Sequence, residues 1–217
     1  MTHMHSAVDP DLFHGWTVAR SVSRALPVPV ADHGGWRVDT NSPVEFRRYF
    51  FAAPSPEITA LADSIVQPRI FLKLCATTQA LGELTGPRWT LIPTGYWMTR
   101  DEAPIGPGIP PDGFILSQHR DGDVVSVTVH HEDGTLAASG YAAETAGVYA
   151  YDRIVTNPDF RRLGLARAVM AELAAARRSP DSRHVLVASQ EGQPLYASMG
   201  WATVSPYATA VIESSGD

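Results

Sequence analysis

A single cysteine, Cys75, among 217 residues excludes an intrachain disulfide framework and a cysteine-rich zinc site. It lies in the apolar run Ile70–Cys75, where a thiol reads as a buried structural group rather than a nucleophile. Positive charge is scarce: 17 Lys and Arg against 23 Asp and Glu leave −6 at pH 7. That balance argues against general nucleic-acid binding and leaves a cationic or neutral substrate open. No apolar run is long enough to span a bilayer and no signal peptide is evident, so a cytoplasmic protein without a membrane partner is expected. Internal repeats are missing, as is a Gly-x-Ser-x-Gly elbow or an activated-cysteine context. Adjacent His130 and His131 project to opposite faces of a strand, and His3 and His5 fall in a loose terminus, so no metal site is expected.

What is present is ordinary globular composition, 44% hydrophobic and 18% charged, enough for one large domain or two small ones. Spacing from Leu12 to Leu26 predicts an amphipathic helix ended by Pro27 and Pro29. Strands are expected at Trp36–Asp39, Phe46–Ala52, Ile70–Ala76 and Trp89–Met98, with helices from Ser55-Pro56 to about Val66 and over Thr77–Leu84. Trp89, Tyr96 and Trp97 are candidates to line a ligand pocket, or else core aromatics. The Pro/Gly cluster from Ala103 to Gly113 marks a boundary, giving an α/β region over 1–112 and a second over 113–217. Beyond it come strands Val124–His131, Leu136–Glu144 and Val148–Val155, then a strand at His184–Ala188, a short helix at Leu195–Met199 and a last strand at Tyr207–Ile212.

The stretch Arg161–Arg162–Leu163–Gly164–Leu165–Ala166 joins the strand ending at Val155 to a helix. That helix has an apolar face of Leu165, Val169, Met170, Leu173 and Ala174, and carries Arg177 and Arg178 in its last turn. Arginines at a helix start oppose the dipole and the outward N–H groups. A docked phosphate would resolve the conflict, with Gly164 letting it approach the backbone; solvated arginines are the plainer alternative.

Arg-x-x-Gly-x-Ala resembles the Gln/Arg-x-x-Gly-x-Gly/Ala signature of the GNAT superfamily, the Gcn5-related acyl-CoA-dependent N-acyltransferases. The segment RIVTNPDFRRLGLARAVM is similar to that family's strand, Pro-containing turn, pyrophosphate loop and helix. HVLVASQEGQPLYASMGW is similar to its next strand and helix, ending in Leu-Tyr-x-x-x-Gly-aromatic. The resemblance covers the second half of the chain. It implies a mixed, mostly antiparallel α/β sheet flanked by helices, with the first half completing that sheet, covering the acceptor side, or forming a degenerate second half-domain. It implies an N-acetyltransferase with acetyl-CoA as cosubstrate and a small-molecule amine as acceptor, attacked directly. The other reading is a catalytically weak acyl-CoA-binding sensor. Monomer and homodimer both remain open.

By the same resemblance the Ile154 N–H bonds the acyl carbonyl, and Val155 and Thr156 flank the pantetheine arm. The amides from Arg162 to Ala166, helped by the Arg161, Arg162 and Arg167 side chains, take the pyrophosphate. Tyr196 matches the tyrosine that donates a proton to the leaving thiolate, the alternative being a ring that only packs. Asp152 is the candidate base: counting by two puts Ala150, Asp152 and Ile154 on one face of the strand. Its alternative is a structural pair with Arg153 or a loop arginine. Glu144, His130, His131 and Glu191 are weaker base candidates. Ser189-Gln190 stands where the family often has Asn.

Overall fold

The computed structural model describes residues 8–101, 106 and 108–213. His3, His5 and part of the Pro/Gly cluster lie outside these. Asp9 caps the first helix, α1 (Pro10–Ser23), accepting from the Asp11 and Leu12 amides at 3.0 and 3.3 Å. The chain continues through β1 (Val30–Asp32), β2 (Gly35–Asp39), β3 (Arg47–Phe51), α2 (Pro56–Ser64), β4 (Ile70–Leu74), α3 (Thr78–Thr85) and β5 (Thr90–Arg100). Ser55 precedes α2 as expected but makes no capping bond, whereas Thr77 caps α3 through the Ala80 amide at 3.1 Å. After the Pro/Gly cluster come β6 (Phe114–Asp121), β7 (Val124–His131), β8 (Leu136–Thr145), β9 (Val148–Thr156), α4 (Leu165–Ala175), β10 (Arg183–Ala188), α5 (Gln193–Ala197) and β11 (Ala202–Val211).

Two strands escape the sequence pattern, β1 and β6. Three residues are too few for a period-2 signal, and the mostly exposed β6 is an edge strand with little to alternate against. Arg177 and Arg178 lie beyond α4 rather than in its last turn. Glu144 accepts from the Arg178 and Ser179 amides at 2.8 Å each, fixing the exit of the chain there instead.

The eleven strands among the described residues form one sheet in the order β1-β2-β3-β4-β11-β5-β10-β9-β8-β7-β6. Two β–α–β units have the same form: β3–α2–β4 and β9–α4–β10 each join parallel neighbours, as a helical crossover requires. Each then continues through a short helix to a strand that lands next to the other unit. Thus β11 sits between β4 and β5, and β5 between β11 and β10. The order reads nearly the same from both ends, although no sequence repeat marks it.

One face carries α1, the other α2, α3, α4 and α5. Trp16 of α1 is buried against Trp97, Phe50 and Tyr207 in edge-on contacts at 5.7–6.5 Å between ring centres. Deleting such a ring costs about 3–5 kcal/mol, so α1 is fixed to both halves at once. Trp89 and Trp97 are core residues, at 5% and 1% exposure, and Tyr96 packs on the α4-side core. Cys75 is buried, and burial pushes its thiol up. No helix among the described residues is long and apolar enough to cross a membrane.

A cleft between two diverging strands

β9 and β10 pair from Val148–Arg183 to Tyr151–Leu186 and no further. At that point β9 carries a bulge: Ser139 of β8 faces Val155, but Tyr141 faces Asp152, so two residues of β9 oppose Gly140. Arg153 takes the strain, with φ at +54°. Its guanidinium lies 3.8 Å from the Tyr141 ring centre and donates to the Ser23 carbonyl at the end of α1. Gly140 is required opposite the bulge, because a Cβ there would come within 2.5 Å of the Ile154 Cδ1 and 2.7 Å of Val169.

The bulge corrects the two-residue count. Ala150 packs on the α1 side, and Asp152 is bonded to Ser23 and Arg24 there, but Ile154 is turned to the opposite face, against the α4 core with Tyr149 and Tyr151. One extra residue inverts every side chain after it.

Between the diverging strands lies a cavity of about 780 Å³. Its walls include Asp152, Ile154, Val155 and Thr156 from β9, then Arg161, Arg162, Gly164, Leu165, Ala166 and Arg167 at the start of α4, and finally Glu191 and Tyr196. Leu163 is 47% exposed and is not part of this wall. The sequence candidates thus converge, although a helix, a loop and a strand from across more than forty positions supply them. The cavity also takes in Arg24, which no sequence motif marks.

Gly164 begins α4 in the left-handed conformation, φ +81°, and no side chain caps the helix. Apart from its chain neighbours, no atom of the described residues lies within 4 Å of where its Cβ would stand, so the first-turn amides face an open cradle. Arg162 is also left-handed, φ +65°. Arg161 and Arg162 are exposed and make no ion pair among the described residues, while Arg167 donates to the Ser198 hydroxyl at 3.0 Å. Amides, helix dipole and guanidinium groups together suit a diphosphate.

Tyr196 is 8% exposed, its ring lying over Gly192 and near Trp201. Burial pushes its phenol up to about 12, so it holds its proton at neutral pH. Asp152 behaves otherwise. Arg24 grips it through Nε at 2.5 Å and Nη2 at 2.7 Å, and the Ser23 hydroxyl donates at 3.0 Å. Burial raises its pKa, but the Arg24 hydrogen bond and the Arg20 and Arg24 charges outweigh that, and the carboxyl titrates below its ordinary value. Both oxygens are committed, which makes it a weak proton acceptor. Among the other base candidates only Glu191 borders the cavity. Glu144 is buried under its amide bonds and His131 pairs with Asp133 at 3.1 Å. Among the described residues no three His, Cys, Asp or Glu side chains gather as metal ligands.

Residues 114–203 match the acetyltransferase (GNAT) domain family. No curated protein matches the chain in sequence. Among solved structures, a GCN5-related N-acetyltransferase from Kribbella flavida superposes with a TM-score of 0.59 at 13% identity, covering 91% of this chain and 93% of the other. A protein described as a GNAT-family acetyltransferase from Novosphingobium aromaticivorans gives 0.57 at 17% identity, covering 97% and 100%. A tandem GNAT protein of the clavulanic acid biosynthesis pathway gives 0.52 at 13% identity, over 73% and 68%.

Proposed function

From the premise that this chain belongs to the GNAT superfamily through residues 114–203, we propose that it is an N-acetyltransferase that moves the acetyl group of acetyl-CoA to a small amine. The observation that carries this reading is the cleft itself. It opens where β9 leaves β10 and runs to the uncapped, glycine-led start of α4. A family relationship alone would be a weaker ground, since one fold serves many acceptors.

In this reading the amides of the α4 start, with Arg161, Arg162 and Arg167, hold the diphosphate of the cosubstrate. The edge of β9 along Val155 and Thr156 receives its pantetheine arm as a further strand would. Acetyl-CoA supplies the thioester, and the Ile154 amide polarises its carbonyl. The amine nitrogen attacks the carbonyl carbon, a C–N bond forms and the C–S bond breaks. Tyr196, kept protonated by burial, gives its proton to the departing sulfur. The nitrogen sheds two protons on passing from ammonium to amide: one leaves along the open cleft, which Glu191 borders, and the other restores Tyr196. The clamp on Asp152 favours the pairing alternative weighed for it over the role of base, so we assign it to holding Arg24 in the cleft wall. Residues 1–112 then act as a degenerate counterpart of 113–217, closing the acceptor side with α1.

The alternative, an acyl-CoA-binding sensor, uses the same loop but has no need of Tyr196. A screen of amines with acetyl-CoA, read by release of free thiol, tests for turnover. Tyr196→Phe should then lower turnover by about a hundredfold to ten-thousandfold while CoA affinity holds. Wild-type turnover in that variant removes Tyr196 from the chemistry, and failure of every amine in the screen to release thiol leaves the sensor reading standing.

A further inference from the structure

On the α1 side of the sheet a second cavity, of about 260 Å³, adjoins the cleft and shares Arg24, Asp152, Val187 and Ser189 with it. Three cations, Arg20, Arg24 and Lys73, line it against one carboxylate, Asp152. Asp152 is already committed to Arg24. Neighbouring Arg48 is paired with Glu45. Arg20 and Lys73 make no ion pair among the described residues: Arg20 lies over the Phe50 ring at 5.7 Å, Lys73 Nζ meets the Thr209 hydroxyl at 3.3 Å and the Phe71 ring at 5.5 Å, and the Asp152 and Glu45 charges act on them only at longer range. Tyr207 adds a hydroxyl that is buried and bonds to nothing among the described residues, on a side chain 5% exposed.

Such a wall is costly to keep. Burial, with the Arg20 and Arg48 charges, pulls Lys73 down to about 7, and burial with the Arg48 and Arg24 charges pulls Arg20 down to about 9. An unsatisfied buried phenol adds a further cost. Every one of these groups is a donor or a cation, so an ammonium placed among them would be repelled. An anion would satisfy all three through charge-assisted hydrogen bonds.

We propose that this cavity is the anion subsite of the acceptor. The amine that is acetylated also carries an anionic group, a carboxylate or a phosphonate-like group, held by Arg20, Lys73 and Tyr207, with its nitrogen toward the shared wall at Asp152. This rests on the acetyl-transfer reading of the cleft. It also reverses the expectation from net charge, since −6 over the whole chain is compatible with a local excess of cations. The first half of the chain supplies Arg20, Arg24 and Lys73, and so sets acceptor choice.

Two measurements on the full chain keep the subsite and the reaction apart. First, thermal unfolding is followed with α-amino acids, their carboxamides and aminoalkylphosphonates. We expect Tm to rise with at least one anionic class and not with the carboxamides, and the rise to vanish in Arg20→Gln and in Lys73→Met. Which anion responds tells carboxylate from phosphonate. Equal shifts with acids and carboxamides, shifts that survive both variants, or no shift with any anionic amine overturn the subsite. Second, thiol release with acetyl-CoA should give a kcat/KM for the anionic amine at least about tenfold above its carboxamide, and the variants should erase that preference through KM with CoA affinity retained. Equal turnover of acid and carboxamide overturns the subsite and leaves acetyl transfer standing. A Tm response without turnover of any amine overturns acetyl transfer, and with it the acceptor role, and leaves only an anion-binding cavity.

Discussion

The two β–α–β units share a topology and differ in whether they open. In β3–α2–β4 the parallel strands stay paired over all five residues, Arg47–Ile70 to Phe51–Leu74, and α2 starts at a proline behind Ser55. In β9–α4–β10 pairing stops after four, because the bulge at Arg153 bends β9 away, and α4 starts at a left-handed glycine. The closed unit buries its aromatic strand, Tyr49 to Phe51, on both faces. The open unit leaves strand edge and helix amides facing the cleft. A site thus requires two local departures from regular structure, one in the strand and one in the turn, on a frame that both units share.

The hardest way to break the comparison is to remove one half. A chain that begins at Gly113 loses β5 from between β10 and β11 and loses α1 from the opposite face, leaving Val148, Ala150 and Val185 uncovered. It should fail to give a cooperative unfolding transition by circular dichroism. A stable, fully active fragment would show the second half to be self-sufficient.

The next test sets the two helix starts against each other. Gly164→Glu should abolish CoA binding in calorimetry, since a left-handed position would carry a side chain and negative charge would enter the cradle. Ser55→Glu, at the start of α2, should leave CoA binding as in the wild type. Unchanged affinity in a folded Gly164→Glu protein would mean that CoA does not bind at the α4 start.

The smallest effect concerns stability and the lysine that the first half contributes. Lys73 has a folded pKa of about 7, below its unfolded value. Between those values the unfolded chain binds the extra proton, so stability rises with pH across that window. Lys73→Met removes the titration. Its stability advantage over wild type, by urea unfolding, should therefore be largest at about pH 6 and shrink towards about pH 10. An advantage independent of pH would show that Lys73 is not held in a desolvated place.

Much of the open unit was legible in sequence because its motifs are local. Arg161, Arg162, Gly164, Leu165 and Ala166 sit within one turn, Tyr196 is marked by the family resemblance of one short helix, and the structure brings them to one cavity. The face of Ile154 was not legible, since a bulge is a property of pairing and shows only against β8. Trp89 and Trp97 as core, rather than pocket, depended on which helix covers β5 and the residues before it.

By itself the sequence determined the alternation of helices and strands, the glycine-led helix start and the tyrosine, because each follows from neighbours in the chain. Only the tertiary structure decided that the last strand crosses to pair with β4, that Asp152 is clamped by Arg24, and that Arg20, Lys73 and Tyr207 surround one hole. These residues lie on α1, β4 and β11, far apart in sequence. Their charges meet because α1 lies across both halves of one sheet, a placement that periodicity within any one segment does not encode.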